Sequence, residues 1–421
     1  MQITKIPVSI YRFYKEGIVS IFVARQSEIP ALNGLRAFAI LLILFLHLWE
    51  GIHKEGLLEV PFILERLFNS CHSAIEIFYA LSGYLIYGGL ISAKDKNKNK
   101  PIDFKKFYIN RTLRIFPAYY FFIFITYGMI FLQKLFLERK FTLGEKAHEI
   151  QILQETVSLF PYDLFYLSNY IKTAHPHTWS LAVEEQFYLL LPLLCYFLLF
   201  KLSDAKRIKV LFLLWTIPLC LRTFTVLVFP NSNLGFSIFN PFHTRFDSLL
   251  SGVIIYELIH YHRLVERFGF DKPKRQIFYL LLSSLILFCA HLISREKDIV
   301  LSAVLQYDML YLGYGTIFIL ALQQKSLVNR FFSTKLFVPF AKVSYGMYLW
   351  QYIFGIAAVA AMTQNLKTIS PFYFIKIYIA MVASIFMGAI LMYLLVEYPF
   401  LVWKDKIAAR QKATNAQGAT P

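Results

Sequence analysis

Charge is what this sequence has least of. Asp, Glu, Lys and Arg make up only 16% of its 421 residues, against about 25% in a typical soluble domain. So few charges cannot clothe a surface in water. The chain is 57% hydrophobic, with 42 Phe and 27 Tyr, more than one aqueous core can absorb. A disordered chain, a coiled coil and a soluble enzyme are excluded, and an integral membrane protein is implied. Cysteine is scarce too. Cys71, Cys195, Cys220 and Cys289 have no CxxC or metal-type spacing, so they imply neither a disulfide framework nor a metal site. No internal repeat and no Pro/Gly-rich linker divides the chain. The first thirty residues carry Lys5, Arg12, Lys15 and Arg25 but no uninterrupted apolar stretch and no cleavage site, so they are not a signal peptide. They read instead as an amphipathic interfacial helix.

What is present is a series of apolar stretches long enough to cross a bilayer, about 20 residues each. They fall at 34–52, 72–92, 113–135, 178–200, 209–229, 243–261, 276–293, 299–322, 338–361 and 372–403. Ten spans predict an all-α polytopic bundle with both termini on one side. Lys and Arg outnumber Asp and Glu by 43 to 26, an excess that would suggest nucleic acid in a soluble protein. Here 28 basic residues fall in the segments on the side of the termini and nine in the opposite loops. By the positive-inside rule the termini are cytoplasmic, and no nucleic-acid partner is expected. The chain divides into an interfacial segment (1–33), a transmembrane domain (34–403) and a cytoplasmic tail (404–421). KDKNKNK (94–100) reads as a polar loop, and the tail after Trp403 as disordered.

An ionisable group at membrane depth costs at least about 2.5 kcal/mol, so the few within these spans are the functional candidates. Each is equally well read as half of a structural ion pair. Arg36 and His47 lie eleven residues apart on the first span, almost three whole turns, and so share a face about 16 Å apart. On the fourth span, His177, Glu184 and Tyr188 share a face. Glu184 lies close in depth to His47, and Glu185 points about 100° away. Glu76, Arg222, His243, Arg245, Asp247 and Gln351 fall at outer depths, which suggests a polar chamber there. At the cytoplasmic edge Arg111 and Arg114 stand at i, i+3 on one helix surface, with Arg36 and Lys342 at comparable depth. Paired guanidiniums suit phosphate oxygens; the plainer reading is positive-inside decoration or contact with anionic lipid.

Several stretches resemble the integral-membrane acyltransferase 3 family, which includes bacterial polysaccharide and O-antigen O-acetyltransferases. IPALNGLRAFAILLILFLH (29–47) is similar to its first-helix motif with the Arg-x10-His pair. IFYALSGYLI (77–86), NRTLRIFPAYY (110–120), HTWSLAVEEQFYLLLP (177–192), TRFDSLLSGVIIYE (244–257), SYGMYLWQ (344–351) and VEYPFL (396–401) continue the likeness in order. Two positions depart from it. The usual Asp before Gly-Leu-Arg is Asn33, and the His that often closes the YG-x-YLW-H element is Gln351. Gln351 cannot transfer a proton, which leaves it a hydrogen-bonding role or a different acceptor. The chain stops soon after the tenth span, so the fused extracytoplasmic domain of some relatives is not expected.

The resemblance implies transfer of an acyl group, acetyl first of all, from cytoplasmic acyl-CoA to a hydroxyl of an extracytoplasmic glycan, in the bacterial inner membrane. Acyl-CoA is then a donor substrate, and no bound cofactor or metal is needed. On this reading Arg111 and Arg114, helped by Arg36, hold the CoA phosphates. His47 acts as general base or carries the acyl group. Glu184 orients its imidazole as the third group of a triad does. Arg245 and Asp247 bind acceptor hydroxyls, and Trp179 and Tyr188 stack on sugar rings. A transporter of anions or lipid-linked sugars would show similar intramembrane charges, and a glycan polymerase would need a lipid-linked donor.

Overall fold

The computed structural model describes residues 8–26, 28–96, 103–141, 146–230, 235–293 and 298–417. It is 84% helical, with no strand among the described residues. An amphipathic helix, α1 (Val8–Phe22), leads into α2 (Pro30–Lys54), α3 (Ala74–Lys96), α4 (Phe104–Lys140) and α5 (Trp179–Phe197). There follow α6 (Asp204–Val228), α7 (Phe246–His260), α8 (Pro273–Leu292) and α9 (Tyr307–Leu322). The chain ends in α10 (Phe337–Thr363), α11 (Pro371–Met392) and α12 (Tyr398–Gln417). Residues 97–100 of the expected polar loop lie outside the described residues.

Among the described residues nine helices are long and apolar enough to cross a membrane. The tenth expected span is the exception. The stretch 243–261 forms a short turn at Phe242–Thr244 and then α7, which has only 15 residues, about 22 Å of helix. That is shorter than a hydrocarbon core of about 30 Å. α7 tolerates this because protein rather than lipid surrounds it: Asp247, Ser248, Leu249, Gly252, Val253 and Glu257 are all buried. Its contact with α3 depends on two glycines. A Cβ on Gly83 would meet the Leu249 carbonyl oxygen at 1.9 Å, and one on Gly252 would meet that of Ala80 at 2.0 Å. The Leu-Ser-Gly steps of both helices therefore mark a backbone-to-backbone crossing.

The bundle is inside-out by soluble standards. Leu189, Leu190 and Phe197 on α5, Leu213 and Leu227 on α6, and Leu281 and Leu285 on α8 are exposed, as lipid contact requires. Charged groups lie within. The termini meet at one end of the bundle: Arg25 approaches Asp405 at 3.5 Å, and the Phe13 and Tyr398 rings pack 4.9 Å apart. The expected disordered tail is instead helical on to Gln417. A π-helical turn at Tyr393–Glu397 carries α11 into α12 without breaking it, and aims two polar side chains inward. At the opposite end the buried Asp163 ties the α4–α5 connection down, accepting hydrogen bonds from Tyr127 (2.8 Å) and Thr173 (2.9 Å) and facing His175 Nδ1 at 3.1 Å.

Candidate active site

A cavity of about 400 Å³ lies between α2, α3, α4, α5 and α10, towards the end where the termini meet. Arg36 comes from α2, Arg111 and Arg114 from α4, Lys342 from α10 and Lys404 from α12. Glu184, Glu185 and Tyr188 enter from α5, and Glu397 from the π-turn. The helices thus bring the three arginines together. Among the described residues none of the three has a carboxylate within ion-pairing distance, in contrast to Arg207, Arg222 and Arg245. The Arg111 guanidinium lies 3.7 Å above the Tyr188 ring, a cation–π contact that holds it flat. Tyr188 is fixed in turn, because its hydroxyl and that of Ser82 both donate to Glu184.

Lys342, one of the cations of the cavity, is partly neutralised. Its ammonium donates to Glu28, which also accepts from the Asn33 amide at 2.7 Å. Asn33 therefore has a defined task in this chain. Burial alone would raise the Glu28 carboxyl, yet Lys342 and Asn33 hold it below its ordinary value.

His47 does not line this cavity. It stands further along α2, with Nδ1 2.6 Å from Gln351 Oε1 on α10 and its ring against Tyr352, centroids 5.2 Å apart. His177 packs on the same tyrosine at 5.0 Å. Between cavity and imidazole lies one polar aromatic layer. Tyr348 lines the cavity, donates to the His177 carbonyl at 2.6 Å and pairs with the Ser180 hydroxyl at 2.7 Å. Gln351, one turn beyond it, donates to the Tyr348 carbonyl at 3.0 Å.

Several expected partnerships are not formed. Glu184 does not reach His47, because its carboxylate is committed to Ser82 and Tyr188 in the cavity. Tyr188 serves as a platform for Arg111 rather than for a sugar ring. Trp179 is absent from the cavity lining and lies under the Arg245 guanidinium at 5.6 Å. Arg245 and Asp247 are fully buried and form ion pairs with Glu76 and Arg222. Asp247 also accepts from Tyr311 at 2.9 Å, and Arg245 donates to Tyr307 at 2.9 Å. Glu76, Arg222, Arg245 and Asp247 thus converge as a buried lattice of ion pairs, within which Arg222 Nη2 and Arg245 Nε have no hydrogen-bond partner among the described residues. The reason is energetic: a buried charge is stable only when paired and hydrogen-bonded.

Other contributors escape sequence reasoning. Ser82, Tyr348, Glu397 and Lys404 all line the cavity. Ser82, Tyr348 and Glu397 sit inside motifs that could have drawn attention to them. Lys404 carries no signal, since it looks like any tail lysine.

A multi-pass membrane protein with an unpaired arginine cluster in an internal cavity, and an imidazole one layer beyond it, is the class that fold and site define. The family model described as an acyltransferase domain matches residues 29–397, and the chain belongs to that acyltransferase 3 family. It is 28% identical over 333 residues to the O-acetyltransferase OatA of Staphylococcus aureus (strain NCTC 8325 / PS 47), covering 77% of this chain and 50% of that protein. A putative O-acetyltransferase, SACOL0978, of S. aureus strain COL is 26% identical over 338 residues, 78% of this chain and 51% of its own length. The chain spans about half the length of the curated relatives it matches. No solved structure matches it significantly.

Proposed function

We propose that the protein is a membrane O-acyltransferase that takes an acyl group, acetyl first of all, from cytoplasmic acyl-CoA. The acceptor is a hydroxyl of an extracytoplasmic glycan such as O-antigen or surface polysaccharide. The termini then lie in the cytoplasm, in keeping with the basic bias of their side, and the bundle sits in the bacterial inner membrane. Family membership and the names of the relatives support this reading. The observation that carries it is the cavity: three arginines that form no ion pair among the described residues stand beside about 400 Å³ of space, and one of them, Arg36, is on the helix that leads to His47.

Unpaired guanidiniums suit the phosphates of CoA, since each planar fork can hold two oxygens. The thioester arm then runs along α2 towards His47 and must pass the Tyr348 layer. At His47 the imidazole removes the proton of the acceptor hydroxyl as its oxygen attacks the thioester carbonyl. A C–O bond forms, the C–S bond breaks, and the imidazolium returns the proton to the departing CoA sulfur. The lattice around Arg222 and Arg245 has no part in this step; it holds the frame.

Purified protein in liposomes, given labelled acetyl-CoA inside and a glycan acceptor outside, tests the proposal. Label on the glycan with release of CoA is expected. Label that never leaves CoA with any acceptor overturns acyl transfer and favours a transporter. His47→Ala that keeps full turnover removes His47 as the centre.

A further inference from the structure

Among the described residues His47 has no carboxylate partner; its hydrogen-bond partner is a side-chain amide. An amide presents two different atoms, an NH₂ that only donates and an oxygen that only accepts. The Tyr348 carbonyl decides which way Gln351 faces. A carbonyl can only accept, so the Gln351 nitrogen 3.0 Å from it must be the NH₂ group. The oxygen is thereby turned towards His47 Nδ1, 2.6 Å away. Since that oxygen cannot donate, Nδ1 must carry the hydrogen. In a neutral imidazole the other nitrogen is then bare.

Two further features hold the arrangement. Gln351 is only 3% exposed, so water does not compete for its amide, and the hydrogen bond is strengthened by low surrounding polarity. The Tyr352 ring lies against the imidazole face and restricts rotation about its last torsion. Nε2 makes no hydrogen bond to any described residue and is not among the sealed polar atoms. One ring nitrogen is therefore spent on the protein and the other is open.

We propose that Gln351 is a positioning residue: it fixes His47 as the Nδ1–H tautomer and so reserves the Nε2 lone pair for the acceptor hydroxyl. The role rests on His47 being the base of the transfer described above. It assigns to an uncharged amide what a triad gives to a carboxylate, namely orientation and tautomer, without the charge that stabilises the imidazolium. Gln351 itself gains and loses no proton, which answers the difficulty its presence raises at that position.

The test is carried out on the full-length protein in lipid, with ¹⁵N-labelled histidine. The ring shifts of His47, assigned by their loss in His47→Ala, are expected to report Nδ1–H. Gln351→Met, close in length but without an acceptor, is expected to give a mixture of tautomers or Nε2–H. It should lower kcat about 10–100-fold, as loss of other partners that fix a functional imidazole does, with KM for acetyl-CoA unchanged. Gln351→Glu, which restores an acceptor oxygen, is expected to bring Nδ1–H back. Nε2–H in the unaltered protein, or pure Nδ1–H in Gln351→Met, overturns the proposal. So does an unchanged kcat in Gln351→Met while His47→Ala is inactive; that result leaves acyl transfer at His47 standing. Full turnover in His47→Ala removes instead the reading on which the role depends, whatever the tautomer.

Discussion

Two groups of intramembrane arginines meet opposite fates in this molecule. Arg222 and Arg245 are fully buried and each is locked onto a carboxylate, with tyrosines and backbone carbonyls taking further N–H groups. Arg36, Arg111 and Arg114 share a cavity, and none pairs with a carboxylate among the described residues. Residue type and helix context are alike in the two groups, although one lies at outer depth and the other towards the end where the termini meet; what decides their fates is whether space and a partner are supplied. A paired charge in a packed interior holds helices together, whereas an unpaired charge beside a void is prepared for a ligand.

The contrast can be broken most severely in the lattice. Arg222→Ala or Arg245→Ala leaves Asp247 or Glu76 buried without its partner, a loss of about 3–5 kcal/mol. Collapse of thermal stability in detergent is expected before any kinetic effect can be measured. A stable variant with weakened acceptor binding would move these residues back to the substrate. The cavity should behave in the opposite way. The Arg111→Ala, Arg114→Ala double variant is expected to fold normally, with KM for acetyl-CoA raised about 10–100-fold, the value of a charge-assisted hydrogen bond of about 1.5–3 kcal/mol. An unchanged KM rejects phosphate binding there.

Glu184 sharpens the boundary between cavity and imidazole. Because it holds Tyr188 beneath Arg111, Glu184→Gln is expected to raise KM for acetyl-CoA about 3–10-fold, the loss of one or two hydrogen bonds, with little change in kcat. A collapse of kcat instead would restore it as the third member of a triad with His47. The smallest effect belongs to Glu28, at the rim. Its carboxyl is held below the ordinary value of about 4.3, so its contact with Lys342 is fully present at neutral pH. That stability is lost only as pH falls through the lowered value. Glu28→Gln should cost no more than about 1 kcal/mol and should remove that acid-side part of a stability-against-pH curve.

Legibility in the sequence followed how local the cause was. The alignment of Arg36 with His47 and the i, i+3 pairing of Arg111 with Arg114 depend on helix pitch alone, and both pairs stand on continuous helices here. The assignment of Glu184 to His47 rested on equal depth. Depth is one coordinate of three; it could not distinguish a carboxylate facing Ser82 from one facing the imidazole. Depth likewise cannot show that Arg245 pairs with Glu76, 169 residues away, and Asp247 with Arg222, 25 residues away on the preceding helix. The short α7 was read as a full crossing because hydropathy cannot tell a helix wrapped by protein from one wrapped by lipid.

The sequence by itself determined that this chain lives in a membrane, which segments are helical and which few charged residues fall within them. Hydrophobic length, charge bias and helical period are properties of consecutive residues and need no fold to be read. Tertiary structure alone decided which of those charges are satisfied. It packs α7 against α3 through Gly83 and Gly252, closes the Arg222–Asp247 and Arg245–Glu76 pairs, leaves three arginines around a void, and turns the Gln351 oxygen towards His47. Each of these depends on residues dozens to hundreds of positions apart meeting within a few ångströms, and no one-dimensional pattern encodes that distance.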